Sequence, residues 1–249
     1  MDRAFPHDVV LTIMAERLHT FVFLMYACSL SYNIAFIGLG QRSSLFQYEG
    51  YGGKFKYLTF WNFILQTVYF GICVVNDIWG TNCQPSHGTK GKLRSNLQIL
   101  RDNVFAALAY PIGMFVVITF WSIYMVDREL VFPKRLDDII PSWLNHVMHT
   151  TVLPILLLEK YLVYHQYPSK KMGLTILLSF SFAYLAWILW IAYYANIWVY
   201  PVLKVMEAHQ RILFITLLMV FFISIYILGE AVNKFIWRRE TVSIHQKQK

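Results

Sequence analysis

The apolar run 143–162 is long enough to cross a bilayer and still carries side chains that can perform chemistry, among them Asn145, His146 and His149. Asn145 and His149 are spaced i, i+4, so a helix would place them on one face. An imidazole can accept a proton near neutral pH, and an amide can orient it. Polar side chains are costly in hydrocarbon, so they indicate a functional site there. They also hydrogen-bond helices to one another in membranes, and this one segment leaves both interpretations open.

A second polar set, Thr59, Asn62 and Gln66, recurs at i, i+3 and i+7 and predicts one polar stripe along a helix. A threonine hydroxyl becomes a nucleophile when a base removes its proton, and His149 suits that task at neutral pH. If the chain crosses the membrane six times, the second predicted span (57–75) and the fourth (143–162) start on the same side, because the chain crosses back between them. Thr59 and His149 then lie about 3 Å and 9 Å below the same surface. A threonine near a helix start more often bonds to its own backbone, so the residues alone leave this role open.

The composition indicates what kind of framework must position these residues. The 249-residue chain is 57% hydrophobic, 17% aromatic and only 14% charged, whereas soluble domains are about a quarter charged. Because a spanning helix needs about 20 apolar residues, the sequence predicts an all-α, polytopic membrane helical bundle. The six predicted transmembrane helices are 20–38, 57–75, 104–126, 143–162, 174–195 and 212–231.

The chain divides into three predicted regions. Residues 1–18 form an N-terminal interfacial amphipathic segment, residues 19–237 the six-helix transmembrane domain, and residues 238–249 a polar, basic C-terminal tail. The Lys and Arg residues are concentrated in the segments that face the cytoplasm if both termini do, so we predict cytoplasmic termini. Basic tracts between apolar spans attract anionic headgroups, and membrane lipids rather than nucleic acid therefore explain the net charge of +8.

Other kinds of site find less support in the sequence. His146 and His149, spaced i, i+3, could bind a metal together with His165, but a further well-placed ligand is missing. His165 lies in a short loop, where we expect it to be solvated. The three cysteines lack the spacing of a zinc motif or a disulfide framework, and the standard hydrolase, zinc and nucleotide motifs are missing from the sequence. We predict no metal and no cofactor.

Long blocks of the sequence resemble the family of androgen-induced and androgen-dependent TFPI-regulating proteins. The resemblance covers residues 20–237 in the same order, while residues 79–97 lie outside the shared blocks. Those blocks are GGKFKYLTFWNFILQTVYFGI (52–72), YPIGMFVVITFW (110–121), DRELVFPKRLDDIIPSWLNHVMHTTVLP (127–154), HQYPSKKMGLT (165–175), WVYP (198–201) and YILGEAVNKFIW (226–237).

The resemblance implies a multi-pass membrane hydrolase that uses a threonine nucleophile and a histidine to cleave fatty acid esters of hydroxy fatty acids. The family threonine lies in the block that reads FKYLT here and is Thr59, and the family histidine is the second one of NHVMHT, His149. The resemblance thus selects the same pair that the polar patterns indicate. The candidate supporting residues are Asn145, His146, Asn62 and Gln66.

Two lysines precede the candidate nucleophile. Lys54 and Lys56 could hold a substrate carboxylate near the headgroups, or they could be ordinary interfacial anchors. The expected partners are the lipid substrate and the membrane lipids. The expected location is an endomembrane, such as the endoplasmic reticulum, or the plasma membrane.

Two functions of other classes remain open at this stage. One is a non-catalytic membrane regulator or scaffold, and the other is a small-solute carrier, which the missing internal repeat argues against. For the hydrolase we expect the Thr59 hydroxyl within about 4 Å of a ring nitrogen of His149. Both should face a largely apolar cavity that opens toward the lipid or the non-cytoplasmic surface. The aromatic residues expected to line it are Phe60, Phe63 or Trp121.

Overall fold

The computed structural model describes residues 6–37, 51–83 and 94–237, and every regular element in these ranges is helical, as the predicted fold class requires. In chain order the α-helices are α1 (Pro6–Phe36), α2 (Leu58–Trp79), α3 (Asn96–Val104), α4 (Tyr110–Val126), α5 (Ser142–His149), α6 (Val152–Leu162), α7 (Lys170–Ala195), α8 (Pro201–Val205) and α9 (Ala208–Ile236). The shorter elements are a π-helical turn (Phe105–Ala109) and three 3₁₀ turns (Gly53–Lys56, Arg128–Leu130 and Lys134–Leu136).

Five helical stretches of the described chain are long and apolar enough to cross a membrane by their length and composition. They are Val10–Phe36, Leu58–Trp79, Asn96–Val126, Lys170–Ala195 and Ala208–Ile236. Large apolar side chains such as Phe21 of α1 and Leu217 of α9 face outward, where a lipid environment would cover them. The chain is therefore an integral, multi-pass membrane protein. The cytoplasmic placement of its termini stays a prediction.

The fourth predicted span, 143–162, is two helices rather than one, so the predicted count of six spanning helices is not confirmed. Thr150 and Thr151 separate α5 from α6. In an unbroken helix the Thr150 carbonyl would accept a hydrogen bond from the amide of residue 154. Pro154 has no amide hydrogen, and its ring would clash with that carbonyl, so the helix breaks at this point.

The two halves of the broken segment run side by side with α2. His149, at the end of α5, contacts Thr59, and Glu159 of α6 contacts Tyr69. Between these two contacts, α2 and the α5–α6 segment each advance by ten residues, which is about 15 Å along a helix. The α5–α6 segment therefore follows α2 in the same direction over most of its length.

The third spanning stretch starts earlier than the predicted residue 104, because α3, the π-helical turn and α4 form one helical run. The turn lies just before Pro111, which cannot supply an amide hydrogen, and π-helical turns commonly absorb such an irregularity. The side chain of Gln66 donates to the Ala109 carbonyl at 2.9 Å and ties α2 to the turn.

The N-terminal helix is continuous from Pro6 to Phe36, so the predicted boundary at residue 18 falls inside α1. Residues 1–5 and the predicted tail 238–249 lie outside the described residues. The separate roles of these regions stay predictions.

A glycine of α4 brings the broken segment into the centre of the bundle. A Cβ atom at Gly113 would lie 2.5 Å from Leu156 and 2.9 Å from Val152, both in α6. Only the missing side chain allows α6 to approach α4 this closely. The position of α6 in turn fixes where the preceding helix α5 can present its last residue, His149.

Candidate active site

Thr59 and His149 are in direct contact. The Thr59 Oγ1 lies 3.0 Å from the His149 Nε2, although the two residues are 90 positions apart in the chain. This separation is within the 4 Å that we expected. His149 is buried, with 4% of its surface exposed, and Thr59 is half-buried. The first turn of α2 and the last residue of α5 therefore place a hydroxyl and an imidazole together.

Asn145 determines which ring nitrogen of His149 carries the proton. The His149 Nδ1 lies 2.8 Å from the Asn145 side-chain oxygen and 3.2 Å from the Asn145 backbone carbonyl. A backbone carbonyl can only accept, so Nδ1 holds a hydrogen and donates it. In the neutral ring, Nε2 then keeps its lone pair and the Thr59 hydroxyl donates to it. This is the arrangement that a base-activated nucleophile needs.

Two aromatic residues of α4 hold the imidazole in place. Phe120 stacks on His149, with ring centroids 3.7 Å apart and an interplanar angle of 13°. The indole N–H of Trp121 donates to the His149 backbone carbonyl at 2.7 Å. That carbonyl would accept from the amide of Leu153 in an unbroken helix, so Trp121 replaces a hydrogen bond that the helix break removes.

The first turn of α2 is held by two tyrosines that the sequence reasoning did not single out. The Leu58 amide donates to the Tyr200 hydroxyl at 3.0 Å, and the Tyr184 hydroxyl donates to the Lys56 carbonyl at 2.8 Å. The two hydroxyls lie 2.8 Å apart, which closes the chain of hydrogen bonds if Tyr200 donates to Tyr184. Tyr200 belongs to the WVYP block of the family resemblance, and that block was the sequence feature that could have indicated its role.

The other members of the polar stripe form their hydrogen bonds away from the Thr59–His149 pair. Gln66 donates to the Asn62 side-chain oxygen and to the Ala109 carbonyl, both at 2.9 Å. Both side chains are buried. Their observed contacts join α2 to the π-helical turn, which is the helix-joining role that the sequence left open.

His146 does not take part in the pair. It is exposed, and its Nδ1 lies 3.0 Å from the hydroxyl oxygen of Thr150, four residues further along. Its ring faces Trp121 at a centroid distance of 6.0 Å. His146 therefore lies beside the site, on the outer face of α5.

The expectation that His165 is solvated is wrong. Its side chain is fully buried, with Nδ1 3.3 Å from Asp102 and Nε2 3.2 Å from Glu159. The loop turns inward here because an imidazole can partner two carboxylates that would otherwise be buried close together. His146, His149 and His165 thus lie in three different environments, and the metal site considered for them does not form in the described structure.

Two cavities meet at Thr59. The larger, of about 150 Å³, lies between α4, α7 and α9 and has almost entirely apolar walls. The smaller, of about 60 Å³, is lined in part by His149, Lys54 and Asn33. The residues that line both are Thr59, Phe120, Val131 and Tyr200.

The aromatic lining differs from the expected one. Phe60 lines the smaller cavity, whereas Phe63 and Trp121 line neither. Phe63 packs edge-on against Tyr26 in the core, with ring centroids 6.0 Å apart. Trp121 is used instead to hold the His149 carbonyl.

The two lysines before Thr59 have different environments. Lys54 lines the smaller cavity, donates to the Asn33 carbonyl at the end of α1, and has a pKa lowered by partial burial. Lys56 is 1% exposed, lines neither cavity, and its ammonium finds no hydrogen-bond acceptor among the described residues. Its burial lowers the pKa of Lys56 to about 8. Of these two lysines, only Lys54 therefore lines a cavity that adjoins Thr59.

Known proteins share this sequence over most of its length. The family model described as FAR-17a/AIG1-like protein matches residues 18–234. Androgen-induced gene 1 protein of Homo sapiens is 43% identical over 206 residues, which are 81% of this chain and 85% of that protein. Androgen-dependent TFPI-regulating protein of Homo sapiens is 41% identical over 186 residues, 75% of this chain and 78% of that protein.

A more distant relative extends the similarity beyond animals. A protein of Schizosaccharomyces pombe named as a membrane protein is 24% identical over 204 residues, 81% of this chain and 84% of that protein. No solved structure matches. Because the family model covers well over half of the sequence, the chain belongs to the FAR-17a/AIG1-like family.

Proposed function

We propose that this protein is a membrane lipid hydrolase in which Thr59 attacks the carbonyl carbon of an ester and His149 acts as the general base. The proposed substrates, fatty acid esters of hydroxy fatty acids, come from the family resemblance. The observation that carries the proposal is the 3.0 Å contact between Thr59 Oγ1 and the lone pair of His149 Nε2, beside an apolar cavity.

The first half of the reaction forms an acyl-enzyme. His149 Nε2 takes the Thr59 proton as the hydroxyl oxygen attacks the ester carbonyl carbon. The resulting tetrahedral intermediate collapses, the bond to the alcohol oxygen breaks, and His149 returns the proton to that oxygen. The hydroxy fatty acid leaves, and the second fatty acid stays attached to Thr59 as an ester.

The second half of the reaction releases the fatty acid. His149, again neutral, takes a proton from a water molecule whose oxygen attacks the new ester. Collapse of the second intermediate returns the proton to Thr59 and frees the carboxylic acid. Nδ1 keeps its hydrogen throughout, because Asn145 offers two acceptors to it.

The position of Thr59 favours the negative charge that develops during both attacks. Thr59 is the second residue of α2, in the first turn, where the backbone amides point toward the start of the helix. A helix N-terminus carries about half a positive charge and stabilises an oxyanion next to it. The nucleophile thus lies at the end of α2 that suits acyl transfer.

The two cavities would orient the substrate. The larger cavity has apolar walls and suits the acyl chain that stays on Thr59. The smaller cavity contains Lys54, whose ammonium suits the carboxylate of the departing hydroxy fatty acid. Because Thr59 lies where the cavities meet, the ester would reach the nucleophile with one chain on either side.

The test is hydrolysis by the full-length protein in liposomes. Thr59→Ala and His149→Ala should each reduce kcat by about 100-fold or more, because the nucleophile and base act together. Thr59→Ser keeps a hydroxyl and should retain measurable activity, while the nearly isosteric Thr59→Val should be inactive. A fluorophosphonate probe should label Thr59 in the wild-type protein.

The matched control is His146→Ala, which removes the same kind of side chain one turn away and should retain most of the activity. Thermal unfolding of each variant shows whether it is folded. An active Thr59→Val variant would remove Thr59 from the mechanism. Full activity in folded Thr59→Ala and His149→Ala variants would place the catalysis on other residues, whereas folded wild-type protein without hydrolytic activity would support the non-catalytic scaffold.

A further inference from the structure

A second group of reactive side chains lies near the opposite end of α2 from Thr59. His19 of α1, Cys73 of α2 and Glu159 of α6 are fully buried, and their ligand atoms all lie within 4.8 Å of one another. Cys73 follows Thr59 by 14 residues, which is about 21 Å along a helix. This group is therefore too far from the Thr59–His149 pair to act on the same ester bond.

We propose that His19, Cys73 and Glu159 bind a zinc ion that fastens α1, α2 and α6 together. An imidazole nitrogen, a thiolate sulfur and a carboxylate oxygen are the three kinds of ligand that zinc takes in proteins. Each ligand comes from a different helix, so the ion would cross-link the bundle. The distance from Thr59 makes the role structural rather than catalytic.

The surrounding carboxylate and hydroxyl groups are arranged as around a zinc site. The Nδ1 of His19 lies 2.6 Å from Asp77, which leaves Nε2 directed at Glu159, 2.8 Å away. A carboxylate that holds the far nitrogen of a histidine ligand is a common feature of zinc sites. The Tyr69 hydroxyl donates to the other oxygen of Glu159 at 2.6 Å and fixes that carboxylate.

His165 supplies an independent observation. It is 0% exposed, yet neither of its ring nitrogens makes a well-aligned hydrogen bond within the described structure. Its Nε2 lies 3.2 Å from Glu159, and a second carboxylate, Asp102, lies 3.3 Å from its Nδ1. A movement of this ring toward Cys73 would provide the fourth ligand of a closed zinc site.

The charges of the cluster accommodate a dication once the ion displaces the protons of Cys73 and His19. With Cys73 as a thiolate, four negative groups face two guanidinium groups, and such a deficit of two charges is costly in a buried region. The negative groups are Asp77, Asp102, Glu159 and Cys73, and the guanidinium groups are Arg94 and Arg101, which both pair with Asp102. One zinc ion with neutral imidazoles closes this balance, and in the absence of the ion a protonated His19 between Asp77 and Glu159, with Cys73 as a thiol, closes it instead.

A route for the ion is also present. A polar cavity of about 50 Å³ adjoins the cluster and is lined in part by His19, Asp77, Asn82, Cys83 and Arg101. It lies at the end of the bundle formed by the start of α1 and the end of α2. A metal could therefore load without opening the apolar core.

The experiment measures metal in the full-length protein, purified in detergent without a histidine tag. Elemental analysis should find about one zinc per chain that survives dialysis. Replacement by cobalt should give the intense thiolate-to-metal absorption band together with visible bands of tetrahedral cobalt. Cys73→Ser should abolish the charge-transfer band, and His19→Gln should lower the zinc content several-fold.

Cys28→Ser is the matched control, since its thiol is exposed on α1 and does not line the adjoining cavity. This variant should keep the zinc and the cobalt spectrum. The wild-type spectrum is decisive even if a ligand variant fails to fold. Wild-type protein that holds no zinc after loading and shows no thiolate band would overturn the proposal and leave a network of protonated histidines and carboxylates.

Discussion

At the residue scale, the candidate base of this protein is oriented by neutral oxygens rather than by a carboxylate. The His149 Nδ1 donates toward the side chain and the backbone carbonyl of Asn145. These acceptors fix the tautomer, but they stabilise an imidazolium less than a charged partner would. The resulting base is suited to a site whose surroundings are mostly apolar.

Lys54 is expected to decide whether a free carboxylate on the substrate is recognised. Lys54→Met should raise KM by about tenfold for a fatty acid ester of a hydroxy fatty acid, because one charge-assisted hydrogen bond is lost. The methyl ester of the same substrate should show little change in KM, and kcat should change little for either. Steady-state kinetics on the matched substrates in liposomes check this.

The buried Lys56→Met variant is the control for Lys54 and should treat the two substrates alike. An equal loss on the acid and on its methyl ester in Lys54→Met would show that Lys54 supports the fold rather than the carboxylate.

Lys56 is expected to make stability depend on pH. Its folded-state pKa of about 8 lies below the ordinary 10.5, so the unfolded chain binds more protons between these values and wild-type stability rises with pH there. At pH 7 the buried ammonium lacks an acceptor among the described residues, and an unmet buried polar group costs about 1–3 kcal/mol. Lys56→Met should therefore raise the melting temperature at pH 7, with a gain that shrinks above pH 8.

Thermal unfolding in detergent across this pH range measures the effect. Lys204→Met, at an exposed lysine, should change little at any pH. A lower melting temperature for Lys56→Met at pH 7 would contradict the burial argument.

At the element scale, the break between α5 and α6 is what lets His149 end a helix at the site. An unbroken helix would use the His149 carbonyl for its own ladder, whereas here the Trp121 indole satisfies it at 2.7 Å. The break therefore makes the geometry of the Thr59–His149 pair depend on a neighbouring helix, α4.

Trp121→Phe should consequently reduce kcat and leave KM little changed. The variant keeps the aromatic ring but removes the donor, and an unsatisfied buried carbonyl costs about 1–3 kcal/mol. The last turn of α5 should loosen and the Thr59–His149 contact should lengthen. Kinetics and thermal unfolding check this prediction, with Trp143→Phe at the exposed start of α5 as the control. Equal kcat values for the two variants would show that the hydrogen bond does not position His149.

At the scale of the whole molecule, the larger cavity is enclosed by helices that are distant in the chain. Leu218 of α9 lines it, while the preceding Leu217 is exposed on the outer face of the same helix. The same substitution at Leu218 and at Leu217 therefore compares a side chain inside the cavity with one on the outer surface of the same helix.

Leu218→Trp should shorten the acyl chain that the protein accepts. The indole would occupy part of a space of about 150 Å³, so kcat/KM should fall for long acyl chains and stay near normal for short ones. A chain-length series of esters measures this. Leu217→Trp should leave the profile unchanged, and an unchanged profile in Leu218→Trp would show that the acyl chain lies elsewhere.

The sequence by itself determined the helical membrane character and the candidate catalytic pair. Apolar length and composition are local properties, so five of the six predicted spans coincide with helices long and apolar enough to cross a membrane. The polar spacings that contain Thr59 and His149 are also local patterns. Together with the crossing direction of the spans and the family resemblance, they identified two residues that lie 3.0 Å apart in the structure. The catalytic role of that pair stays a prediction.

The tertiary structure decided what depends on contacts between distant helices. The break after His149 follows from Pro154, but the use of Trp121 to satisfy the freed carbonyl depends on how α4 packs. The inward position of His165 follows from carboxylates that the fold brings together, and no local pattern marks them as neighbours. The different environments of Lys54 and Lys56 have the same cause. The two lysines look alike in sequence, but the helices that pack around them leave Lys54 beside the smaller cavity and bury Lys56 away from it.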